Sequence, residues 1–270
     1  MIEINVSKER RLYLKRRKRR KIAILICQIS ILVGFFLLWE VSTRFGLIDG
    51  FIMSSPSRIL KTFINVSQNN IFMHIGVTCY ETVVGFILGV FLGSIIAILL
   101  WWSPFFAKVS EPFLVILNSL PKIALGPVII ILVGAGTNAI IFMALAISLI
   151  VTVLEMLNGF LNTNSERLKM AKTFGANKLQ LFTKIVFPSN LSTLFNSLKI
   201  NIGLSLVGVI AGEFLVSKAG LGYLIVYGGQ VFKMDLVLSS VLILSVVAAL
   251  MYETVVLSER ITNKFFGHNG

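Results

Sequence analysis

Residues 166–188, ERLKMAKTFGANKLQLFTKIVFP, form a polar segment between two long apolar runs. Gly175 permits the left-handed turn that ends a helix, Asn177 can cap a second helix, and Pro188 would stop that helix. The stretch therefore predicts a helix-turn-helix, which we call the hairpin and bound at residues 162–190. It is too polar to cross a membrane, so we expect it to lie outside the bilayer.

Each helix of the hairpin carries an apolar stripe at helical spacing. The stripe residues are Leu168, Ala171 and Phe174 in the first helix and Leu179, Phe182, Ile185 and Val186 in the second. Such a stripe needs a surface that covers it. The pattern leaves two coverings open, which are the chain's own helices and a separate protein.

The composition of the whole chain is that of an integral membrane protein. Of 270 residues, 56% are hydrophobic and 14% are charged, and the mean hydropathy is +0.88. A bilayer core about 30 Å thick takes roughly 20 helical residues to cross. We therefore predict an all-α membrane bundle of about six transmembrane helices, at residues 22–45, 75–101, 107–133, 136–157, 194–216 and 236–257.

Positive charge is concentrated before the first apolar run. Ten of the 25 Lys and Arg residues lie between Lys8 and Lys21, which by the positive-inside rule places the N-terminus, the hairpin and the C-terminus in the cytoplasm. We divide the chain into a basic cytoplasmic arm, residues 1–21, and a membrane domain, residues 22–270. The net charge of +13 then serves orientation and contact with membrane lipid, and it does not indicate a nucleic-acid partner.

The third predicted span contains two proline interruptions between residues 118 and 127. Proline removes a backbone donor, and inside a membrane the freed carbonyls must be satisfied by protein or by a water-filled cavity. The segment is therefore a candidate lining or gate of a transport pathway, and a buried structural kink is the equal alternative. Its members are Asn118, Pro121, Lys122 and Pro127.

Gly85, Gly89 and Gly93 recur every four residues in the second predicted span and share one helix face. Such a face lets another helix backbone approach closely. We predict helix packing there, with dimerisation as the weaker alternative.

Four glutamates lie within or at the ends of predicted spans, where ionised side chains are costly. They are Glu40, Glu81, Glu155 and Glu213. Glu40 and Glu155 are near span ends and are expected to reach headgroups or water. His74 is expected to be a solvated loop residue, and no spacing predicts a metal site or a catalytic residue. The sequence has no Gly-x4-Gly-Lys-Ser/Thr phosphate loop, so we do not expect the chain to hydrolyse ATP.

Ala171, Gly175, Ile185 and Pro188 resemble the "EAA" loop of permeases in binding-protein-dependent ABC importers, because the spacing from the glycine to the isoleucine and proline matches. The resemblance covers about residues 54–260 and is closest to the nitrate, sulfonate and taurine branch. It implies a type I ABC importer-like permease in the cell membrane, without an ATPase site of its own. A self-sufficient ion-coupled carrier is the alternative from a different class.

The resemblance also implies partners and a role for the hairpin. The partners are a second copy of the chain, two ATP-binding subunits that hold ATP and Mg, and an extracytoplasmic solute-binding protein. The solute would be small, such as an alkylsulfonate, taurine or nitrate, or alternatively a thiamine precursor or a riboflavin-like compound. The hairpin would dock on the ATPase and transmit its closure to the membrane helices. This coupling role falls on Glu166, Lys169, Met170, Ala171, Phe174, Gly175, Ala176, Leu179, Phe182, Ile185 and Pro188.

The sequence departs from the family pattern at three positions. Lys169 stands where the loop has glutamate, Met170 where it usually has alanine, and Glu81 where the family often has a basic residue. Glu166 lies one helical turn before Lys169 and is expected to reach the same surface. Among the acids, Glu213 matches the family and is the strongest functional candidate, as part of the pathway.

Overall fold

A computed structural model describes residues 8–66 and 70–265, and the contacts divide the chain into two units, residues 1–64 and 65–270. All the regular elements of the described residues are helical. In order they are α1 Lys8–Arg44, α2 Gly50–Met53, α3 Pro56–Val66, α4 Ile71–Trp102, α5 Pro104–Ser119, a 3-10 turn Lys122–Leu125, α6 Gly126–Val133, α7 Thr137–Leu161, α8 Ser165–Thr173, α9 Lys178–Leu181, a π turn Phe182–Val186, α10 Phe187–Ser189, α11 Leu191–Val216, α12 Leu221–Gln230 and α13 Met234–Phe265.

The first unit is dominated by α1, which runs without a break from the basic residues into the apolar run. Lys and Arg are good helix formers, and neither Gly nor Pro occurs before Gly34. The boundary predicted at residue 21 is therefore not a break in the backbone. Residues 1–7 of the predicted arm lie outside the described part of the chain.

Glu40 has a specific role in this unit. Its carboxylate accepts hydrogen bonds from the backbone N–H of Ser57 at 3.0 Å and from the Ser57 hydroxyl at 2.8 Å, at the start of α3. Arg44 Nε donates to the same carboxylate at 2.8 Å. A helix N-terminus presents unpaired N–H groups and the positive end of the helix dipole. Glu40 therefore caps α3. From the sequence, Glu40 was expected to reach headgroups or water, and this cap was not predicted.

Among the described residues, five helices are long and apolar enough to cross a membrane: Leu12–Arg44, Ile71–Trp102, Thr137–Leu161, Leu191–Val216 and Met234–Lys264. A sixth candidate is α5 together with residues Lys122–Val133, and this pair is bent by 84°. The prediction of about six spans is confirmed. The predicted third span is not one helix, because the chain between Ser119 and Pro127 breaks where the two prolines occur.

At the centre of the second unit, α7 packs along α4 on one side and along α11 on the other. The glycine face of α4 makes the first contact possible. A Cβ atom at Gly85 would lie 2.5 Å from the Cβ of Ala144, and one at Gly93 would lie 2.7 Å from the Cβ of Thr152. Gly89 lies between them on the same buried face. This face contacts α7 of the same chain, so a second copy has no room there.

Candidate functional site

The predicted turn of the hairpin is present. Gly175 has a φ of +80°, in the left-handed region that favours glycine. The Asn177 side chain accepts the N–H of Gln180 at 2.8 Å, and the Gln180 side chain accepts the N–H of Asn177 at 2.9 Å, which completes a capping box. Asn164 caps the first helix by accepting two N–H groups at 2.8 and 3.3 Å. Both hairpin helices therefore begin at capped ends.

The second hairpin helix does not stop at Pro188, which corrects the expectation from sequence. Residues Phe182–Val186 form a π turn, in which the N–H of Phe187 donates to the carbonyl of Phe182. The helical path then continues through α10 to Asn190. Pro188 lies in the first turn of α10, where a missing N–H is tolerated.

One part of the hairpin is buried against the chain's own helices. Phe182 and Val186 are 8% and 0% exposed and pack in a cluster with Met156 and Phe160 of α7. The Phe182 ring centroid lies 5.1 Å from that of Trp101 and 5.4 Å from that of Phe160. The hairpin is therefore connected directly to α4 and α7.

Two polar contacts add to this connection. Asn190 Nδ2 donates to Thr163 Oγ1 at 2.9 Å and to the carbonyl of Val186 at 2.8 Å, which closes the base of the hairpin. The Lys178 ammonium donates to the carbonyl of Trp102, the last residue of α4, and lies 5.9 and 5.8 Å from the centroids of two indole rings. A cation at this position complements the negative end of the α4 dipole and its free carbonyls.

Other apolar side chains of the hairpin remain exposed. Met170, Phe174 and Leu179, which we call the exposed triplet, are 58%, 83% and 58% accessible. The second predicted stripe is therefore divided between buried and exposed side chains, and the first has half-buried and exposed members but none that is buried. Of the remaining predicted coupling residues, Glu166, Lys169 and Gly175 are exposed, and Ala171, Ala176, Ile185 and Pro188 are half-buried. In the single chain, the chain's own helices cover Phe182 and Val186, and the exposed triplet has no covering.

The candidate gate residues surround the bend between α5 and α6. Lys122 Nζ donates to the backbone carbonyl of Asn118 at 3.0 Å and to its side-chain oxygen at 3.2 Å. Pro121 and Pro127 are exposed. An open cavity of about 510 Å³, lined almost entirely by apolar atoms, lies between this segment and α11, with Pro127 and Phe214 in its wall.

The structure does not bring Glu213 to this cavity. Its Oε1 accepts a hydrogen bond from Thr78 Oγ1 at 2.6 Å, and its Oε2 accepts the N–H of Gly222 at 2.5 Å. Thr78 Oγ1 in turn accepts the N–H of Leu221 at 2.8 Å. Gly220 has a φ of +115°, and a Cβ atom there would lie 2.6 Å from Glu213 Oε2. The carboxylate is therefore a buried cap on the N-terminus of α12.

Two further residues of α4 belong to this site, and for His74 the sequence predicted a different environment. His74 was expected in a solvated loop, but it lies in the first turn of α4, where its Nδ1 accepts the N–H of Gly220 at 3.0 Å. Its ring stacks on Tyr223 with centroids 6.1 Å apart. Glu81 is fully buried one helical turn beyond Thr78. The spacing of His74, Thr78 and Glu81 along one helix face was the signal available in the sequence.

Residues 89–263 match the family described as "Binding-protein-dependent transport system inner membrane component". The chain is 29% identical over 223 residues to a probable ABC transporter permease protein of Haemophilus influenzae, covering 82% of this chain and 91% of the relative. It is 28% identical to the formylaminopyrimidine transport permease protein ThiX of Halalkalibacterium halodurans, covering 70% of this chain and 77% of that protein. It is 24% identical to the putative aliphatic sulfonates transport permease protein SsuC of Bacillus subtilis, covering 83% and 81% respectively.

The fold is similar to that of a solved chain in the inward-facing MetNI methionine ABC transporter. The TM-score is 0.63 at 18% sequence identity, and the alignment covers 70% of this chain and 94% of that chain. At this level of identity the likeness concerns the fold alone.

Proposed function

The chain belongs to the family of inner-membrane components of binding-protein-dependent transport systems and is an ABC importer permease, and from this premise we propose that two copies assemble with two ATP-binding subunits and a solute-binding protein. The binding protein and the ATP-binding subunits are the partners that membership of this family implies. The homodimer is part of the proposal. Two identical hairpins would then meet two identical ATP-binding subunits.

The observation that carries the proposal is the division of the hairpin into a buried part and the exposed triplet. Phe182 and Val186 anchor the hairpin in the bundle, whereas Met170, Phe174 and Leu179 present apolar side chains to the surroundings. Exposed aromatic and Met side chains beside charged ones are typical of a protein interface. We therefore assign the exposed triplet to the contact with the ATP-binding subunit.

The buried part gives this contact a route to the membrane helices. The Phe182 ring touches α4 through Trp101 and α7 through Phe160. Lys178 bonds the end of α4, and Asn190 holds the base of the hairpin closed. Movement of the ATP-binding subunit would therefore displace α4 and α7 together, which is the change in access that import requires. A packed core transmits such displacements because it has little compressibility.

In this proposal ATP and Mg are bound by the partner subunit, because the sequence contains no phosphate-binding loop of the Walker A type. The hairpin and both termini are cytoplasmic, as the concentration of Lys and Arg before the first span favours. The basic residues of α1 nearest the bilayer contact anionic lipid.

The proposed solute is small, in the class of alkylsulfonates, taurine or nitrate, as the relative named for aliphatic sulfonates suggests. A thiamine-precursor pyrimidine is the second candidate, which the slightly higher identity to the formylaminopyrimidine permease favours. Thermal stabilisation of the partner solute-binding protein by each solute class distinguishes the two.

The hairpin assignment is tested by Phe174→Ser in the chain co-expressed with its ATP-binding subunit. Because Phe174 is 83% exposed, we expect the melting temperature of the purified chain to stay unchanged. We expect the amount of ATP-binding subunit that co-purifies to fall at least several-fold, since removal of a hot-spot side chain from an interface costs about 2 kcal/mol or more.

Phe72→Ser is the matched control, because Phe72 is 73% exposed and lies at the other end of α4. It should leave co-purification intact. Wild-type recovery of the ATP-binding subunit with Phe174→Ser would contradict the assignment. Ion-driven uptake by the chain alone would contradict the importer itself.

A further inference from the structure

Glu81 and Glu213 form a buried pair of acids between α4 and α11, independent of the hairpin and of the proposed partners. Glu81 is 0% exposed and Glu213 is 1% exposed. The Glu81 side chain interacts with the Glu213 carboxyl group and with the side chain of Thr137, the first residue of α7. We call these two glutamates the acid pair.

The two members of the acid pair have opposite surroundings. Glu213 accepts a hydroxyl of α4 and a backbone N–H of α12, and it lies at the positive end of the α12 dipole. Glu81 has neither advantage: the Thr137 side chain interacts with it, but no donor among the described residues meets hydrogen-bond geometry at either of its oxygens. An ionised carboxylate is an acceptor only, so contact between two of them supplies no hydrogen bond.

Among the described residues, no cation forms an ion pair with either member of the acid pair. Within the described part of the chain, Arg44 forms its ion pair with Glu40 and Lys199 forms its ion pair with Glu259. The ionisable side chains in the neighbouring turns of α4, the segment before α12, and α12 itself are His74, Cys79, Tyr80, Lys218, Tyr223 and Tyr227. Lys218 is exposed. His74 accepts a hydrogen bond at Nδ1, which requires the neutral ring with its proton on Nε2.

We propose that Glu81 is a neutral carboxylic acid whose O–H donates to the Glu213 carboxylate, so that the acid pair holds one proton and one negative charge. The proton supplies the donor that the buried Glu81 otherwise lacks, and it removes the repulsion between two buried carboxylates. The remaining charge stays on Glu213, where three helices converge and where it caps α12. Because both side chains are inaccessible, no group of a second copy or of another subunit reaches them.

In this arrangement Glu81 is a positioning residue. Thr78 and Glu81 hold the two sides of the Glu213 carboxylate from one face of α4, and Gly222 holds it from α12. A separation of α4 from α11 would leave Glu81 without a partner. The shared proton therefore connects the three helices as one unit.

The direct test is infrared spectroscopy of the full chain, purified in lipid nanodiscs at neutral pH. The carbonyl stretch of a protonated carboxylic acid should be present in the wild type and absent in Glu81→Gln. Glu155→Gln removes another acid of the membrane helices and should leave the band unchanged. A wild-type spectrum without the band, or a band that persists in Glu81→Gln, overturns the proposal.

Melting temperatures of the same preparations give a second, independent test. Glu81→Gln should melt like the wild type, because its amide N–H replaces the acid O–H as donor to Glu213. Glu81→Leu has a similar size without a donor and should melt several degrees lower, and Glu213→Gln should be destabilised at least as much. Equal destabilisation by Glu81→Gln and Glu81→Leu would show that Glu81 does not act as a donor, which overturns the proposal.

Discussion

The hairpin and the N-terminus of α12 lie at opposite ends of α4. They differ in which side chains are exposed to solvent and which are buried. At the hairpin, charged side chains are in solvent while the apolar side chains of Met170, Phe174 and Leu179 are left uncovered. At the α12 end, the carboxyl groups of Glu81 and Glu213 are completely enclosed. An uncovered apolar surface is stabilised by binding another molecule, whereas an enclosed charge must be satisfied within the chain.

This difference indicates where the chain depends on other proteins and where it depends on itself. Changes at the exposed part of the hairpin should affect assembly more than stability. Changes at the acid pair, or at the buried part of the hairpin, should affect stability in the isolated chain. Two phenylalanines eight positions apart, Phe174 and Phe182, separate these two kinds of effect within one short segment.

The largest expected effect is that of Phe182→Ala. The ring is 8% exposed and contacts Trp101 and Phe160, so its removal leaves a cavity that should lower the free energy of unfolding by about 3–5 kcal/mol. Phe174→Ala removes the same ring from an 83% exposed position and should change stability by less than about 0.5 kcal/mol. Melting temperatures of the isolated chain check both values. Equal losses of stability in the two variants would contradict the assignment of Phe182 to the core and Phe174 to the surface.

An intermediate effect is expected for Gly220→Ala at the other end of α4. Its φ of +115° is unfavourable for alanine, and the new Cβ would collide with the Glu213 carboxylate, so we expect a loss of about 1–3 kcal/mol. Gly229→Ala, near the C-terminal end of α12, meets no atom within 4 Å and is the control. Chemical denaturation in detergent measures the difference. If the two alanine variants prove equally stable, the Glu213 cap does not constrain this turn.

The features that the sequence predicted well are those whose cause is local. Gly175 and Asn177 specify the hairpin turn through their own backbone and side-chain preferences. The break near Pro121 and Pro127 follows from proline chemistry in the same way. The membrane bundle follows from the length and composition of the apolar runs.

The features that escaped prediction depend on groups far apart in the chain. Thr78 and Glu213 are separated by 135 positions, and no local sequence pattern predicts the hydrogen bond between them. The inward position of Phe182 and the outward position of Phe174 depend on where α4 and α7 end, so the two apolar stripes alone did not show which ring is buried. Pro188 stays within a helical path because the preceding π turn shifts the hydrogen-bond pattern, which proline alone does not indicate.

The smallest expected effect concerns Lys178, which caps the C-terminus of α4 from the hairpin. Lys178→Met keeps the apolar stem but loses the bond to the Trp102 carbonyl and the contacts with two indole rings. A cation at a helix C-terminus contributes about 0.3–1 kcal/mol at low ionic strength. Lys184→Met, also in the second hairpin helix, changes the net charge equally at an exposed position and is the control. Because salt screens exposed charges, the stability difference between the two variants should shrink as salt is added. A difference that persists at high salt would assign the contribution of Lys178 to packing on the indole rings and not to its charge at the end of α4.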